Sequence, residues 1–98
     1  MLNNKQKKYL RGLANSLRPL FQIGKEGLSF NFVTTLSDSL TAHELVKISV
    51  LKSCSDDVYQ LAFDLSSETN SEIVQIIGRT ILLYRKNRNN PKIEVPNS

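Results

Sequence analysis

Ile23-Gly24-Lys25-Glu26-Gly27-Leu28-Ser29 lies between two kinds of hydrophobic periodicity, and its reading decides the fold. Before it, Leu20-Phe21-Gln22-Ile23 has the character of a short, largely buried strand. After it, Val33, Leu36 and Leu40 recur at helical spacing, which predicts a second helix from about Phe30 to Ala42 with Ser29 as its N-cap. Glycines at both ends of the turn allow positive φ and close approach of a ligand. The first-turn N–H groups of the helix have no intrahelical partner, and the helix dipole favours an anion in front of them. Lys25 adds a positive charge at the tip. The strand, the GxxG turn and the capped helix therefore predict a phosphate cradle. The same spacing also suits a plain strand-to-helix turn with a solvated lysine, so the motif gains meaning only from the rest of the chain.

On the N-terminal side, Asn3 and Gln6 are spaced for a capping box. On the wheel of the first helix Leu2, Tyr9, Leu10, Leu13 and Leu17 share one side, while Lys7, Arg11 and Arg18 fall nearly opposite, with Lys8 beside them. Pro19 disfavours helical geometry at Arg18 and ends the helix there. On the C-terminal side, residues 45–51 alternate as a strand whose apolar face is Val46, Ile48 and Val50. Ser55 is placed to cap a third helix, with Asp56 and Asp57 in its first turn and Val58, Leu61, Ala62 and Leu65 as its stripe. Ile73–Ile77 and Thr80–Arg85 form a hairpin about Gly78-Arg79. Residues 86–98 are polar, contain Pro91 and Pro96, and predict a mostly extended tail. The order is αβαβαββ. It predicts one α/β (α+β) domain over residues 1–98, with a mixed four-stranded sheet packed with helices, whose strand order the periodicity does not contain.

A chain of 98 residues holds one modest core, and 40% apolar with 22% charged residues is ordinary for a globular domain. No apolar run is long enough for a membrane span, and no secretory leader is evident. The lone Cys54 excludes an internal disulfide and suits a reducing, cytoplasmic setting. The formal charge of +4 is unevenly placed. Lys5, Lys7, Lys8, Arg11, Arg18 and Lys25 precede the first acid, and Arg79, Arg85, Lys86, Arg88 and Lys92 crowd the C-terminal end, where Glu94 is the single acid. If both ends fold to one side, that side suits a polyanion.

Enzyme constellations are poorly supported. His43-Glu44 begins like a zinc-protease HExxH helix, but Lys47 occupies the last position and the chain has no second histidine. Walker and GxGxxG loops are absent, no cofactor is expected, and His43 is assigned to carbonyls near the end of its own helix. Tyr9, Phe21, Phe63 and Tyr84 fall at positions that predict core, so stacking platforms are scarce and backbone recognition is expected over base reading.

Several stretches, in this order, resemble the YhbY family, stand-alone bacterial forms of the CRM (chloroplast RNA splicing and ribosome maturation) domain. They are Lys5-Gln6, Leu10-Arg11-Gly12-Leu13-Ala14, Leu17-Arg18-Pro19, Gln22 to Leu28, His43 to Lys47, Val74 to Gly78, and Leu82 to Arg85. Asn15 and Asn87 depart from the family, where histidine and proline are common. The resemblance implies a fold similar to the C-terminal domain of translation initiation factor 3. It also implies RNA binding to precursors of the large ribosomal subunit, with the loop Gly24, Lys25, Glu26 and Gly27 as the RNA contact, analogous to the backbone clamp of KH domains.

The expected protein is thus a monomeric, non-enzymatic RNA-binding factor with no membrane or small-molecule partner. Its phosphate contacts would be Lys25, the Ser29-capped helix start, Lys7, Lys8, Arg11 and Arg18, extended by Arg79, Arg85 and Lys86. The alternative is a protein-interaction module whose basic face docks on an acidic ribosomal or assembly-factor partner.

Overall fold

The computed structural model describes residues 2–96. Its elements run α1 (Asn4–Ala14), β1 (Phe21–Ile23), α2 (Phe30–His43), β2 (Leu45–Val50), α3 (Val58–Thr69), β3 (Glu72–Ile77) and β4 (Thr80–Tyr84). This is the αβαβαββ order that the periodicity predicts. The sheet order is β1-β2-β4-β3, with β1 parallel to β2 and both other pairings antiparallel. The β1–α2–β2 crossover keeps two strands parallel, and the β3–β4 hairpin then inserts β4 beside β2.

The alternation of β2 separates two cores. Val46, Ile48 and Val50 face α2 and α3, where they bury with Ile23, Leu36, Leu40, Leu61, Leu65, Ile81 and Leu83. Leu45 faces the other way and joins Leu10 and Ala14 of α1, Val74, Leu82 and Tyr84. Ile93 and Val95 of the C-terminal segment pack against this second cluster. Helices therefore cover both faces, and the segment after β4 extends the cover over α1's side.

Three sequence expectations change. The first helix stops at Ala14 rather than Arg18. Ser16 Oγ donates to Leu13 O, the kind of side-chain bond that competes with helix. Beyond it, Leu20 N donates to Lys47 O and Lys47 Nζ to Leu17 O, which draws residues 17–20 onto β2. The third helix is capped by Asp57, in extended conformation with its carboxylate accepting from Tyr59 N, rather than by Ser55. Phe63 is 61% exposed and Tyr9 41%, whereas Tyr84 is buried and Phe21 half-buried against Phe32. Phe63 lies on the outer side of α3, opposite the stripe that seats Leu61 and Leu65.

The segment after β4 has no regular structure through Pro96, yet it is docked. Glu44, fully buried, accepts from Asn87 N at 2.7 Å and from Lys92 N and Ile93 N, each at 2.6 Å. Gln6 Nε2 adds a bond to Pro96 O at 2.7 Å. The last two residues of the predicted tail, Asn97 and Ser98, lie outside the described residues, as does Met1.

Burial raises the phenol of Tyr84 above its ordinary 10.0, and the nearby carboxylates of Glu44 and Glu72 add to the effect. A raised folded-state value favours the neutral phenol, so this stabilisation is complete below the unfolded value near pH 10 and is lost as pH climbs through the folded one. In an ultraviolet phenolate titration a late ionisation above the ordinary 10.0 should appear, coincide with the onset of unfolding and be absent from Tyr84→Phe. A titration curve that Tyr84→Phe leaves unchanged in its late part would contradict this placement.

Candidate functional site

The turn is built as follows. Gly27 N donates to Gly24 O at 3.1 Å, leaving Lys25 and Glu26 at an exposed tip. Gly27 has a φ of 70°, which favours glycine, and a Cβ there would lie 2.9 Å from Asp56 Oδ2, the tip of an exposed side chain that would have to move aside. Gly24 is outside the left-handed region, and a Cβ would meet Leu51 Cδ1 and Ser53 Oγ at an ordinary 3.6 Å. Only the second glycine of the pair thus has the positive φ expected of both.

Ser29 follows in extended conformation, and its Oγ accepts from Phe32 N at 3.1 Å as the predicted N-cap of α2. Because β1 and β2 are parallel, α2 and α3 both start from the same edge of the sheet. The Asp56 side chain, just before α3, comes up to the turn that leads into α2, and each helix start carries roughly half a positive charge from its dipole. Lys25 and Lys52 are exposed at this edge, together with the carboxylates of Glu26, Asp56 and Asp57. Asp57 is engaged in capping. An anion approaching this end of the sheet would meet backbone amides and helix ends, with the two lysines as outlying charges.

Lys52 is absent from the sequence-derived set. The signal for it was available: a parallel β1–β2 pair places the connection leaving β2 beside the turn leaving β1.

Two arginines of the predicted surface are engaged inside the fold. Arg79 Nε donates to Val50 O at 2.9 Å, and its Nη2 donates to Leu51 O at 2.7 Å and Cys54 O at 3.0 Å. It pins the loop that Gly24 and Gly27 rest against. Arg85 donates to Ser37 Oγ, Ser37 O, Thr41 Oγ1 and Thr69 O at 2.6–2.9 Å, and so ties the second half of α2 to the last carbonyl of α3. With Asn87 Nδ2 on Thr41 O, it performs the helix-end role that sequence assigns to His43, which is exposed. A cation facing solvent and one facing carbonyls look alike in sequence.

The other basic residues divide by position. Arg11 lines a groove of about 220 Å³ with Lys47, Gln75, Ile77 and Thr80, on the α1 face near the β3–β4 hairpin. Lys7, four residues before Arg11, shares its side of α1 and is half-buried, while Lys8 is exposed. Arg18 is exposed on the connector and leaves the arc expected from a longer helix. Lys86 lies at the opposite end of the sheet, where it lines a cleft of about 1190 Å³ with Tyr9, Arg88, Lys92 and Glu72. The two basic chain ends do share the α1 face, but Lys86 and Lys25 stand at opposite ends of the strands. Among the described residues no group of three or more His, Cys, Asp or Glu side chains is placed to hold a metal ion.

Comparison with known proteins bears on this arrangement. The family model of the CRS1/YhbY (CRM) domain matches residues 2–85. The probable RNA-binding protein YqeI of Bacillus subtilis is 43% identical over 96 residues, which are 98% of this chain and all of that protein. An RNA-binding protein of Haemophilus influenzae is 33% identical over 95 residues, covering 97% of this chain and 95% of its own. The solution structure of the hypothetical protein SAV1595 from Staphylococcus aureus superposes with a TM-score of 0.81 at 47% identity, over 98% of this chain and all of the other. The cradle between α2 and α3 is thus the edge of a fold shared over nearly its whole length, and the chain belongs to the CRS1/YhbY (CRM) domain family.

Proposed function

We propose that this chain is a non-enzymatic RNA-binding protein of the cytoplasm that grips the phosphate backbone at the Gly24–Gly27 turn. The observation that carries the reading is the convergence of that turn, with Gly27 at positive φ, onto the starts of two helices flanked by Lys25 and Lys52. Backbone amides and helix dipoles in this arrangement suit a phosphate oxygen. Lys7, Lys8, Arg11 and Arg18 extend the contact along the α1 face, joined by Lys47, with Lys86 as a more distant contributor. Arg79 supports the site from behind by holding residues 50–54. Relatives named as RNA-binding proteins support RNA as the ligand. The family resemblance supports ribosomal RNA in large-subunit precursors as its source, and assembly as the process served.

The test replaces Lys25 and Glu26 with aspartates. Both glycines remain and acids near a helix start are favourable, so stability should hold within about 1 kcal/mol. A phosphate approaching the amides then meets two carboxylates without the lysine, and RNA affinity should fall at least about tenfold, a loss of roughly 1.4 kcal/mol. The slope of log K against log salt should be steeper than about −3, and Lys25→Ala should reduce its magnitude by about one contact. Filter binding beside a thermal melt measures both. Undiminished binding by a folded double variant would reduce the loop to a turn. Ribosome association that survives ribonuclease would point to a protein partner instead.

A further inference from the structure

We propose that Phe30, Tyr59 and Phe63 form a stacking platform for unpaired bases of the RNA strand whose backbone lies on the Gly24–Gly27 turn. The inference rests on the RNA-binding reading and adds base contacts to a site otherwise built for phosphate. Phe30 is 84% exposed, Tyr59 66% and Phe63 61%. Folding into the domain has left these rings in water, although the core beneath α2 and α3 is close by.

Their placement ties them to the turn. Phe30 is the first residue of α2, three after Gly27, and Tyr59 stands in the first turn of α3, three after Asp56. The Asp56 side chain comes up to Gly27, and the parallel β1–β2 pair puts both helix starts at this end of the sheet. Phe63 follows Tyr59 by four residues and extends its side of α3 by one turn. An RNA backbone seated on the turn therefore has aromatic rings on the two helices that start at that end of the sheet. Lys25 and Lys52 lie at the same edge to meet the flanking phosphates.

The surroundings favour a nucleic acid over an apolar protein surface. The sequence neighbours that share exposure with these rings are polar: Asn31 and Thr34 beside Phe30, Gln60 beside Tyr59, and Ser67 beside Phe63. A protein interface wants a contiguous apolar centre, whereas a base needs one ring face and accepts polar rims. Base–aromatic stacking is tolerant of sequence, so the platform would discriminate strandedness more than base identity. Paired RNA, its bases hidden in the helix, would still use the lysines and the amides but gain nothing from the rings.

The experiment compares the full chain with the Phe30→Ala/Tyr59→Ala double variant and with Phe30→Trp, all first checked by thermal melt. Probes are fluorescein-labelled oligouridine and oligoadenosine of about 12 nucleotides and a paired RNA hairpin closed by a non-nucleotide linker, at several salt concentrations. The double variant should lose at least about tenfold in affinity for the single strands. Its hairpin affinity and its salt slope should stay unchanged. Phe30→Trp should bind as the parent does, with its indole fluorescence quenched by either oligonucleotide. Equal losses on hairpin and single strands, no loss at all, or an unquenched tryptophan in a complex that still forms would each overturn the platform while leaving the phosphate cradle standing. If the unaltered chain binds none of the three probes, the cradle and the platform both fail. A parent that self-associates through these residues, with the double variant monomeric and RNA affinity unchanged, would assign the rings to a dimer interface and overturn the proposal.

Discussion

Glu44→Ala is expected to lower stability by roughly 3 kcal/mol, a fall in melting midpoint of roughly 12–24 °C, and to release the segment from Asn87 onward. The carboxylate accepts three backbone N–H groups of that segment and is fully buried. Hydrogen bonds to a charged acceptor contribute about 1.5–3 kcal/mol each, so the three together would exceed the figure given. The loss is capped because the segment can detach and let water meet its amides, at the expense of the contacts of Ile93 and Val95 with the second core. Limited trypsin digestion should therefore reach Arg88 and Lys92 early in the variant. Glu44 also has a φ of 65° with ψ of −40°, a conformation L-residues adopt at a cost of about 1–2 kcal/mol. Glu44→Gly should accordingly melt above Glu44→Ala while releasing the segment equally. A melt unchanged by Glu44→Ala would show that the latch contributes nothing. The latch also depends on residue 87: Asn87 N is one of the three donors to Glu44, and a proline there would have no N–H to give.

Leu61→Ala should destabilise by about 2–5 kcal/mol. Leu61 is 3% exposed, in the stripe Val58, Leu61, Ala62 and Leu65 that seats α3 against the sheet. Truncation removes transfer energy and leaves a cavity, because β2 and β4 behind it are held in register on both sides and cannot close up. The folded fraction of the variant should bind RNA with the parent's salt slope, since neither Lys25 nor the turn touches this position. Denaturant unfolding reads the effect, and an unmoved midpoint would place α3 in a different register.

Much of this molecule was legible from residues close together in sequence. The capping box of Asn3 and Gln6, the Ser29 cap, the alternation of β2, the stripe of α3 and the turn at Gly78 each follow from positions within about one helical turn or two strand residues. Where local signals competed, the reading slipped. Ser55 and Asp57 are both good caps, and Asn15-Ser16 weakened a helix that Pro19 alone seemed to end. Phe63 shows the limit of composition, since a phenylalanine predicts core wherever periodicity is not consulted residue by residue. On α3 it falls outside the stripe, and the structure leaves it in water.

The candidate site divides the same way. Sequence by itself determined the turn, its glycine at positive φ, the capped helix and the lysine at the tip, because all lie within seven consecutive residues. The parallel pairing of β1 and β2 puts the start of α3 and the exposed Lys52 at the end of the sheet where Lys25 lies, and only the insertion of β4 beside β2 decided that Lys86 lies at the other end. Tertiary structure also decided the fate of the arginines. Arg79 finds its acceptors 25–29 residues away and Arg85 as far as 48, while Glu44 meets its donors across 43–49. A charged side chain carries the same signal in sequence whether it will face a phosphate, water or a distant carbonyl. Which of these it meets depends on strand order and helix packing, and those are set by long-range burial rather than by the residues on either side.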